Sequence, residues 1–475
     1  MALEWLEQGR SVVWGQLLRL RTPVDDLRDV NFDLAQKLSD IASSLEGGRA
    51  SHTSFAKNEG LSSEQTTQKR HRQLAEEWES LVKEVQTIKG FERFLLPKQY
   101  SELRDASGDR PVVVLNASQY GCDALILSSP SEPPHHVHLG DLTYENAENL
   151  REKLLKILSH QGIRNRYTER HGGPVFSEES SGEEMFRHLL GAIWKLIVEP
   201  VIGHLTSRQT HSPTANGCLR IRWCPTGPLA FLPIHAAGIY NADGTASSSL
   251  ADIAVSSYMP TLTAMLNKSQ ETQVKKSLFK LLAVIQPNTP GVNALPGTKE
   301  ELSRIRKHLP SSSINILNGS DAKITQVMSG LDECSWVHLA CHGVQDASDP
   351  MESGLLLEDG RLGLSQIIHK RLPHAEFAFL SACQTATGDE RRPEEAIHLA
   401  AGMLLAGYKG VIATMWSIRD DDAPFVADQV YSRILTDGKP NGAHPEVALH
   451  DAIQELRKQN GSSFSSWVPF IYMGA

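Results

Sequence analysis

The chain has 475 residues, more than one hydrophobic core ordinarily covers, so we expect two or three domains. Its hydrophobic fraction of 40% and charged fraction of 22% are those of a soluble globular protein. The net charge of −9 disfavours a nucleic-acid partner, because a phosphate backbone is bound by basic surfaces. No apolar run approaches the length of a membrane span, and the first residues lack a signal-peptide pattern, so no membrane association is expected.

The cysteines indicate the compartment. None of them forms a CxxC pair, and their density is far below that of a disulfide-rich scaffold. We therefore expect reduced thiols in a cytoplasmic protein, and a reactive thiol has to be identified from its surroundings. The six cysteines are Cys122, Cys218, Cys224, Cys334, Cys341 and Cys383.

The first hundred residues have a helical pattern. Apolar side chains recur at spacings of three and four from Leu3 to Leu20, and a second apolar face begins near Ser62 and ends before Gly90. Residues 1–100 are therefore predicted to form a helical region.

The pattern changes at Pro111, where short β-rich runs begin. Strands are predicted over residues 112–115, 124–127 and 219–224, and helices over residues 146–159 and 183–204. Residues 267–276 are charged and have no periodicity, which predicts a domain boundary there. We expect residues 111–266 to be an α/β supporting half of the domain that follows.

From Phe279 to the C-terminus, apolar strands alternate with amphipathic helices. This alternation predicts a mostly parallel sheet with helices on both faces. Residues 279–475 are therefore predicted to form an α/β domain. In such a sheet, functional groups collect at the carboxyl ends of the strands.

Three predicted strand ends carry reactive or charged groups. His342 and Gly343 follow the strand of residues 336–340, Cys383 follows residues 377–382, and Trp416 with the acidic run from Asp420 follows residues 410–415. A thiolate attacks a carbonyl carbon while a nearby imidazole manages the proton, so His342 and Cys383 suit nucleophilic catalysis. The backbone N–H groups of Gly343 and Cys383 are candidates for an oxyanion hole. A structural role for both side chains stays open, because His and Cys also occur at strand ends by chance.

Several motifs carry a family resemblance. They are Cys341-His-Gly343, Leu355-Leu-Leu357 with Asp359-Gly360, and Leu380-Ser-Ala-Cys-Gln-Thr-Ala386, with further matches at residues 223–238, 295–297 and 411–416. Together they resemble the CHAT family, whose members are caspase-like domains similar to separase and often appended to tetratricopeptide repeats. The resemblance extends from about Pro111 to the C-terminus.

The resemblance implies an α/β caspase-like fold and a cysteine endopeptidase that acts on protein substrates. It implies that His342 is the general acid and base and that Cys383 is the nucleophile, with Ser381 beside the substrate. The alternative from another class is a catalytically silent caspase-like scaffold for protein–protein interaction.

Separase-like enzymes cleave after a basic residue. A carboxylate at the base of the substrate pocket binds the side chain of that residue. The resemblance implies that Asp420 is this carboxylate and that Trp416 is a wall of the pocket. Arg419 departs from the expected pattern, so other acidic residues stay open as alternatives. These are Asp421, Asp422, Asp389 and Glu390.

The N-terminus suggests a partner. Residues 2–10 resemble the last helices of a tetratricopeptide array, but fewer than the three repeats that a solenoid needs are present. Residues 1–100 are therefore interpreted as a remnant of such an array, or as the end of one that lies upstream. A regulatory protein or an upstream repeat region is the expected partner, besides the protein substrate.

Other candidate residues are given structural interpretations. No metal or organic cofactor is expected, because His135, His136 and His138 lie in a proline-rich stretch without a carboxylate or thiolate at ligand spacing, which predicts a solvated loop. Cys341 is predicted to be a buried thiol and His235 a core histidine, with a catalytic role as the alternative. The charged segment of residues 388–395 is predicted to be mobile until a partner orders it.

Overall fold

The computed structural model describes residues 2–9, 24–55, 61–160, 179–208, 218–266, 279–344, 350–370, 372–381, 399–459 and 463–474. Cys383, Asp389, Glu390 and the segment of residues 388–395 lie outside the described residues. The chain divides into two compact units, Met1–Gln99 and Tyr100–Ala475.

The secondary structure described in the first unit is helical, as predicted. Asn31 begins the third helix, where its side-chain oxygen accepts a hydrogen bond from the Leu34 N–H at 3.1 Å. Leu38 and Val85 are fully buried in an apolar cluster that also contains Trp78. The helices are α1 (Ala2–Gly9), α2 (Asp25–Val30), α3 (Phe32–Phe55) and α4 (Leu61–Gln86).

The second unit begins with elements of mixed type. Its helices up to residue 266 are α5 (Tyr100–Leu103), α6 (Tyr144–His160), α7 (Glu179–Ile193), α8 (Glu199–Arg208), α9 (Leu250–Ile253) and α10 (Leu262–Leu266). A π-helical turn, Trp194–Val198, joins α7 to α8. The strands are β1 (Val112–Ser118), β2 (Gly121–Leu127), β3 (His135–His138), β4 (Leu219–Pro225), β5 (Gly238–Tyr240), β6 (Ala246–Ser249) and β7 (Ala254–Tyr258).

The remainder of the unit continues the alternation. Its strands are β8 (Leu281–Ile285), β9 (Ile314–Asn318), β10 (Trp336–Ala340), β11 (His342–Val344), β12 (Gly354–Leu357), β13 (Gly360–Gly363), β14 (Phe377–Leu380), β15 (Gly410–Thr414), β16 (Leu435–Thr436), β17 (Lys439–Pro440) and β18 (Phe470–Gly474). Its helices are α11 (Gly297–Ile305), α12 (Ile324–Glu333), α13 (Leu364–His369), α14 (Leu399–Ala406), α15 (Asp422–Ile434), α16 (Pro445–Gln459) and α17 (Phe464–Trp467).

Eleven strands form one large sheet in the order β3-β2-β1-β4-β7-β18-β15-β14-β10-β8-β9. The strands β1, β4, β7 and β18 are parallel to one another, and so are β15, β14, β10, β8 and β9. The two groups run in opposite directions, because β18 pairs with β15 antiparallel. The prediction of a mostly parallel sheet is therefore confirmed, and the sheet contains strands from both residues 111–266 and residues 279–475.

The strands around the predicted site are buried along their whole length. Every residue of β8, β10, β14 and β15 is buried. Full burial requires cover on both faces, which is why these strands are continuous apolar runs rather than alternating ones. Polar side chains in such strands need partners inside the protein.

One helical stretch corrects the expectation that no apolar run approaches the length of a membrane span. Among the described residues, Gly182–Ser207 has the length and the mean hydropathy, 1.4, of a membrane span. Half of it is buried inside the protein, as in the core helix of a globular domain, so it is weak evidence for a membrane.

Candidate functional site

The sheet places three strand ends side by side. β10 and β14 are parallel neighbours, with Leu339 opposite Leu380, and β14 and β15 are parallel neighbours, with Phe379 opposite Ile412. The strands that precede His342, Cys383 and Asp420 are therefore adjacent and point the same way, as their order in the sequence predicted. Their carboxyl ends meet at one edge of the sheet.

His342 begins β11, a short strand that leaves the large sheet after Cys341. It pairs antiparallel with β12, with His342 opposite Leu356 and Gly343 opposite Leu355. The His342 side chain is 7% exposed, and its Nε2 lies 2.7 Å from the backbone oxygen of Asn293. A carbonyl oxygen only accepts, so Nε2 carries the proton and Nδ1 is the basic nitrogen of the neutral ring.

The loop between β8 and α11 contacts two of the three strand ends. Asn293 in this loop binds His342, and the backbone N–H of Gly297, where α11 begins, donates to Asp420 Oδ2 at 2.7 Å. A Cβ at Gly297 would lie 2.7 Å from Asp420 Cγ, closer than such atoms come. Glycine is therefore required for this approach. One loop thus fixes both the imidazole and the carboxylate.

The acidic run after β15 is divided between different roles. Asp421 is the N-cap of α15 but makes no side-chain capping hydrogen bond, and Asp422, the first residue of that helix, is 5% exposed. Asp420 instead stabilises the first turn of α11, since a carboxylate is favourable at the N-terminus of a helix. Asp420 therefore contributes to α11 rather than to α15, the helix that follows it in the chain.

A buried polar network lies beneath the strand ends. Glu301 in α11 is 1% exposed, and its Oε2 accepts a hydrogen bond from Ser381 Oγ at 3.0 Å. Its Oε1 lies 3.0 Å from Nε2 of His338 in β10, although the N–H does not point straight at the oxygen. The second contact is therefore close but is not a well-aligned hydrogen bond.

The far end of this network is Tyr431 in α15. Its hydroxyl lies 3.2 Å from Nδ1 of His338. Burial, followed by the negative charge of Glu301, raises the pKa of Tyr431 well above its ordinary value, so the hydroxyl keeps its proton. The network ties β10, the end of β14, α11 and α15 together.

Trp416 lies in the interior. It is 3% exposed, and its ring packs against Phe186 of α7 with ring centroids 6.0 Å apart. Its predicted role as a wall of a substrate pocket stays a prediction, and so does the role of Gly343 in an oxyanion hole.

Two alternative residues have structural environments. Cys341 is fully buried. His235 is buried, with Nδ1 2.8 Å from the Tyr258 hydroxyl and Nε2 donating to the Val468 carbonyl at 2.9 Å. Burial lowers the pKa of His235 to about 4, so the imidazole is neutral near pH 7. It is the core histidine that the sequence predicted.

Some residues around the site were not predicted from the sequence. The carbonyl of Asn293 has no signal in the sequence, because every residue carries one. His338 had a signal, since it is the one polar residue in the buried run Trp336-Val-His-Leu-Ala340, and such a residue requires a buried partner. Glu301 and Tyr431, which complete that network, follow only from the packing of helices on the sheet.

Comparison with known proteins bears on the fold and the family of the chain. A chain of the Saccharomyces cerevisiae separase–securin complex is similar in structure, with a TM-score of 0.53 at 10% identity, over 93% of this chain and 35% of that chain. This chain therefore spans about a third of that neighbour. The Arg-specific cysteine proteinase gingipain R is also similar, with a TM-score of 0.37 at 10% identity, over 61% of this chain and 67% of that chain. No curated protein matches the chain.

The fold is therefore caspase-like and similar to that of the separase chain. The family model described as "CHAT domain" matches residues 187–475. The chain belongs to the CHAT domain family. The match begins at residue 187, and the residues from Pro111 to 186, to which the resemblance also extended, lie outside it.

Proposed function

We propose that the chain is a cysteine endopeptidase in which Cys383 is the nucleophile and His342 the general acid and base. The observation that supports this most directly is the environment of His342. Its Nε2 is held by the Asn293 carbonyl, which leaves Nδ1 as the nitrogen with the lone pair, at the end of the strand next to the one that leads to Cys383. A fixed tautomer is what a general base requires.

The proposed reaction has two steps. Nδ1 of His342 takes the proton of the Cys383 thiol, the sulfur attacks the scissile carbonyl carbon, and backbone N–H groups of Gly343 and Cys383 stabilise the oxyanion. The imidazolium then gives its proton to the leaving amine, and an acyl-enzyme remains. A water that loses a proton to His342 then attacks the thioester carbonyl carbon, the C–S bond breaks, the imidazolium returns its proton to the Cys383 sulfur, and the carboxylic acid product is released. The Asn293 carbonyl stabilises the imidazolium in both steps through the N–H at Nε2.

The proposed substrate is a protein cut after Arg or Lys. Asp420 follows β15, the strand next to β14, so its carboxylate lies near the end of the strand that leads to the nucleophile. Only Oδ2 is bound by Gly297, and Asp420 is half-buried. A carboxylate in this position suits a guanidinium, which needs a planar acceptor. Asp421, Asp422, Asp389 and Glu390 stay the alternatives. We also propose a protein regulator, since the separase neighbour was crystallised with securin.

The Asp420→Asn variant should separate the two roles of this side chain. An amide oxygen can still accept the Gly297 N–H, so thermal stability should change little. The negative charge that would bind P1, the basic substrate residue before the cleaved bond, is lost. We expect kcat/KM for a P1-Arg peptide to fall at least about 100-fold, because an unpaired buried charge costs about 3–5 kcal/mol. Asp420→Ala should lose the hydrogen bond as well, and with it about 0.5–2 kcal/mol of stability.

The matched control is Asp421→Asn, which removes the same charge from an exposed neighbour without a capping hydrogen bond. Kinetics with peptides that differ only at P1 measure the effect. An unchanged preference for Arg in Asp420→Asn, with a loss in Asp421→Asn, would assign the pocket to Asp421 instead.

The proposed function is tested by thiol labelling. The purified protein is treated with a peptide that carries arginine and a thiol-directed electrophile, and mass spectrometry locates the adduct. We expect modification of Cys383 alone, because buried thiols such as Cys341 are inaccessible, while the half-exposed Cys218 serves as an internal control for nonspecific alkylation. Labelling of Cys218 without Cys383 would instead favour a catalytically silent scaffold.

A further inference from the structure

The outer edge of the large sheet carries a cluster of two histidines and a carboxylate. His136 and His138 alternate along the edge strand β3 and therefore point to the same face. Asp123 in β2 lies directly opposite His138, with Leu125 opposite His136, so its side chain is on that face as well. The prediction of a solvated loop for the three histidines is thus wrong: they form a paired strand, and its neighbour supplies the carboxylate that the local sequence lacks.

Both imidazole rings contact the same carboxylate oxygen of Asp123. Asp123 Oδ1 lies 2.7 Å from His136 Nε2 and 3.0 Å from His138 Nδ1. One carboxylate oxygen therefore faces two imidazole nitrogens at once, which is the arrangement of three donor atoms around a small common space.

We propose that Asp123, His136 and His138 bind a divalent transition-metal ion, of which Zn²⁺ is the best fit. Imidazole nitrogen and carboxylate oxygen are preferred zinc ligands at about 2.0–2.2 Å. Tetrahedral ligands at that distance are separated by about 3.3 Å, so the two hydrogen bonds, 2.7 and 3.0 Å long, have to lengthen by about 0.6 and 0.3 Å. The potential ligand atoms already lie within 4.8 Å of one another.

The surroundings allow this adjustment. The side chains of His136 and His138 are 59% and 64% exposed, so their rings can turn at little cost. Gly140 and Gly121 lie beside the His138 ring, and a Cβ at either position would make no more than an ordinary van der Waals contact with it. The fourth ligand position faces water, as in zinc sites with three protein ligands.

The bound ion would join β3 to β2. An edge strand offers unpaired backbone groups and has only one neighbour, and a metal that crosslinks it to that neighbour keeps it in register. The site lies at the end of the sheet order, separated from β14 by six strands, so its role is independent of the proposed peptidase activity.

The test is Zn²⁺ titration of the chelator-treated full-length protein by calorimetry at pH 7.5, with the bound stoichiometry measured independently. The double variant His136→Ala/His138→Ala should lose one equivalent of Zn²⁺ relative to the parent protein, and Asp123→Asn should weaken that equivalent by at least about tenfold. Mg²⁺, which prefers oxygen ligands, should not compete.

The matched control is His135→Ala. His135 is in the same strand but on its other face, beside the ring of His204 at 5.4 Å, so this variant should keep the full stoichiometry. The side chains of His136 and His138 are exposed, so the double variant should fold, and circular dichroism checks the folding of every variant. Unchanged zinc stoichiometry in the double variant, or an equal loss in His135→Ala, would overturn the proposal.

Discussion

Cys383→Ala is expected to abolish peptide cleavage and His342→Ala to lower kcat/KM by about 10²–10⁴-fold, with the fold retained in both variants. Alanine at Cys383 removes the sulfur that forms the acyl-enzyme. Alanine at His342 removes the base that generates the thiolate and the acid that protonates the leaving amine. Cleavage of a P1-Arg peptide measures both effects, and circular dichroism monitors folding.

The matched control for both variants is Cys341→Ala. This thiol precedes His342 in the chain but is fully buried, so its removal should leave most of the activity in place. Full cleavage by the purified Cys383→Ala protein would refute the proposed roles of Cys383 and His342. Loss of activity in Cys341→Ala with unchanged stability would point to the neighbouring thiol as the nucleophile.

Glu301→Ala is expected to lower the free energy of unfolding by about 3 kcal/mol or more. The change removes a carboxylate that is 1% exposed and leaves Ser381 and His338 buried without their partner. Glu301→Gln keeps an oxygen for the Ser381 hydroxyl, so its cost should be smaller. Chemical denaturation measures the difference.

The adjacent Glu300 provides the control. It pairs with Arg304 at 2.7 Å on the surface of the same helix, and its side chain is 54% exposed. Such pairs contribute about 0–1 kcal/mol, so Glu300→Ala should be close to neutral. Equal destabilisation by the two variants would show that the buried network contributes no more than a surface ion pair.

The Glu301 variants should also affect catalysis. Ser381 is bound to Glu301 and lies two residues before Cys383, so loosening this contact displaces the strand end that leads to the nucleophile. A displacement of about 1 Å can lower a rate by about 100-fold. We expect Glu301→Ala, which removes this contact, to reduce kcat more than it changes KM, which a purely structural role would not predict, and Glu301→Gln, which keeps an oxygen for Ser381, to reduce kcat less.

Local patterns in the sequence predicted the elements around the site. The buried apolar runs before His342, Cys383 and Trp416 predicted three strands, and the intervening helices predicted that the strands are parallel. Their adjacency followed, and the structure has β10, β14 and β15 as neighbours. The resemblance of the strand-end motifs led to the CHAT family.

Tertiary structure decided which groups contact these motifs. The sequence proposed His342, Cys383 and Asp420, but the orientation of His342 depends on the Asn293 carbonyl, a group that every residue carries. Asp420 was predicted from its position after Trp416, and its hydrogen bond to Gly297 depends on how the β8–α11 loop crosses the sheet edge. Loop paths depend on packing, which residue periodicity does not encode.

The same distinction applies at the outer edge of the sheet. The sequence alone determined that His136 and His138 are two residues apart, a spacing that places them on one face of any strand. It did not determine that residues 135–138 form a strand, because the stretch is short and follows a proline-rich segment. Only pairing with β2 supplies backbone hydrogen bonds to His135–His138 and sets the register that puts Asp123 opposite His138. A chain fixes the spacing of its own residues, whereas the partners across a sheet are fixed by register.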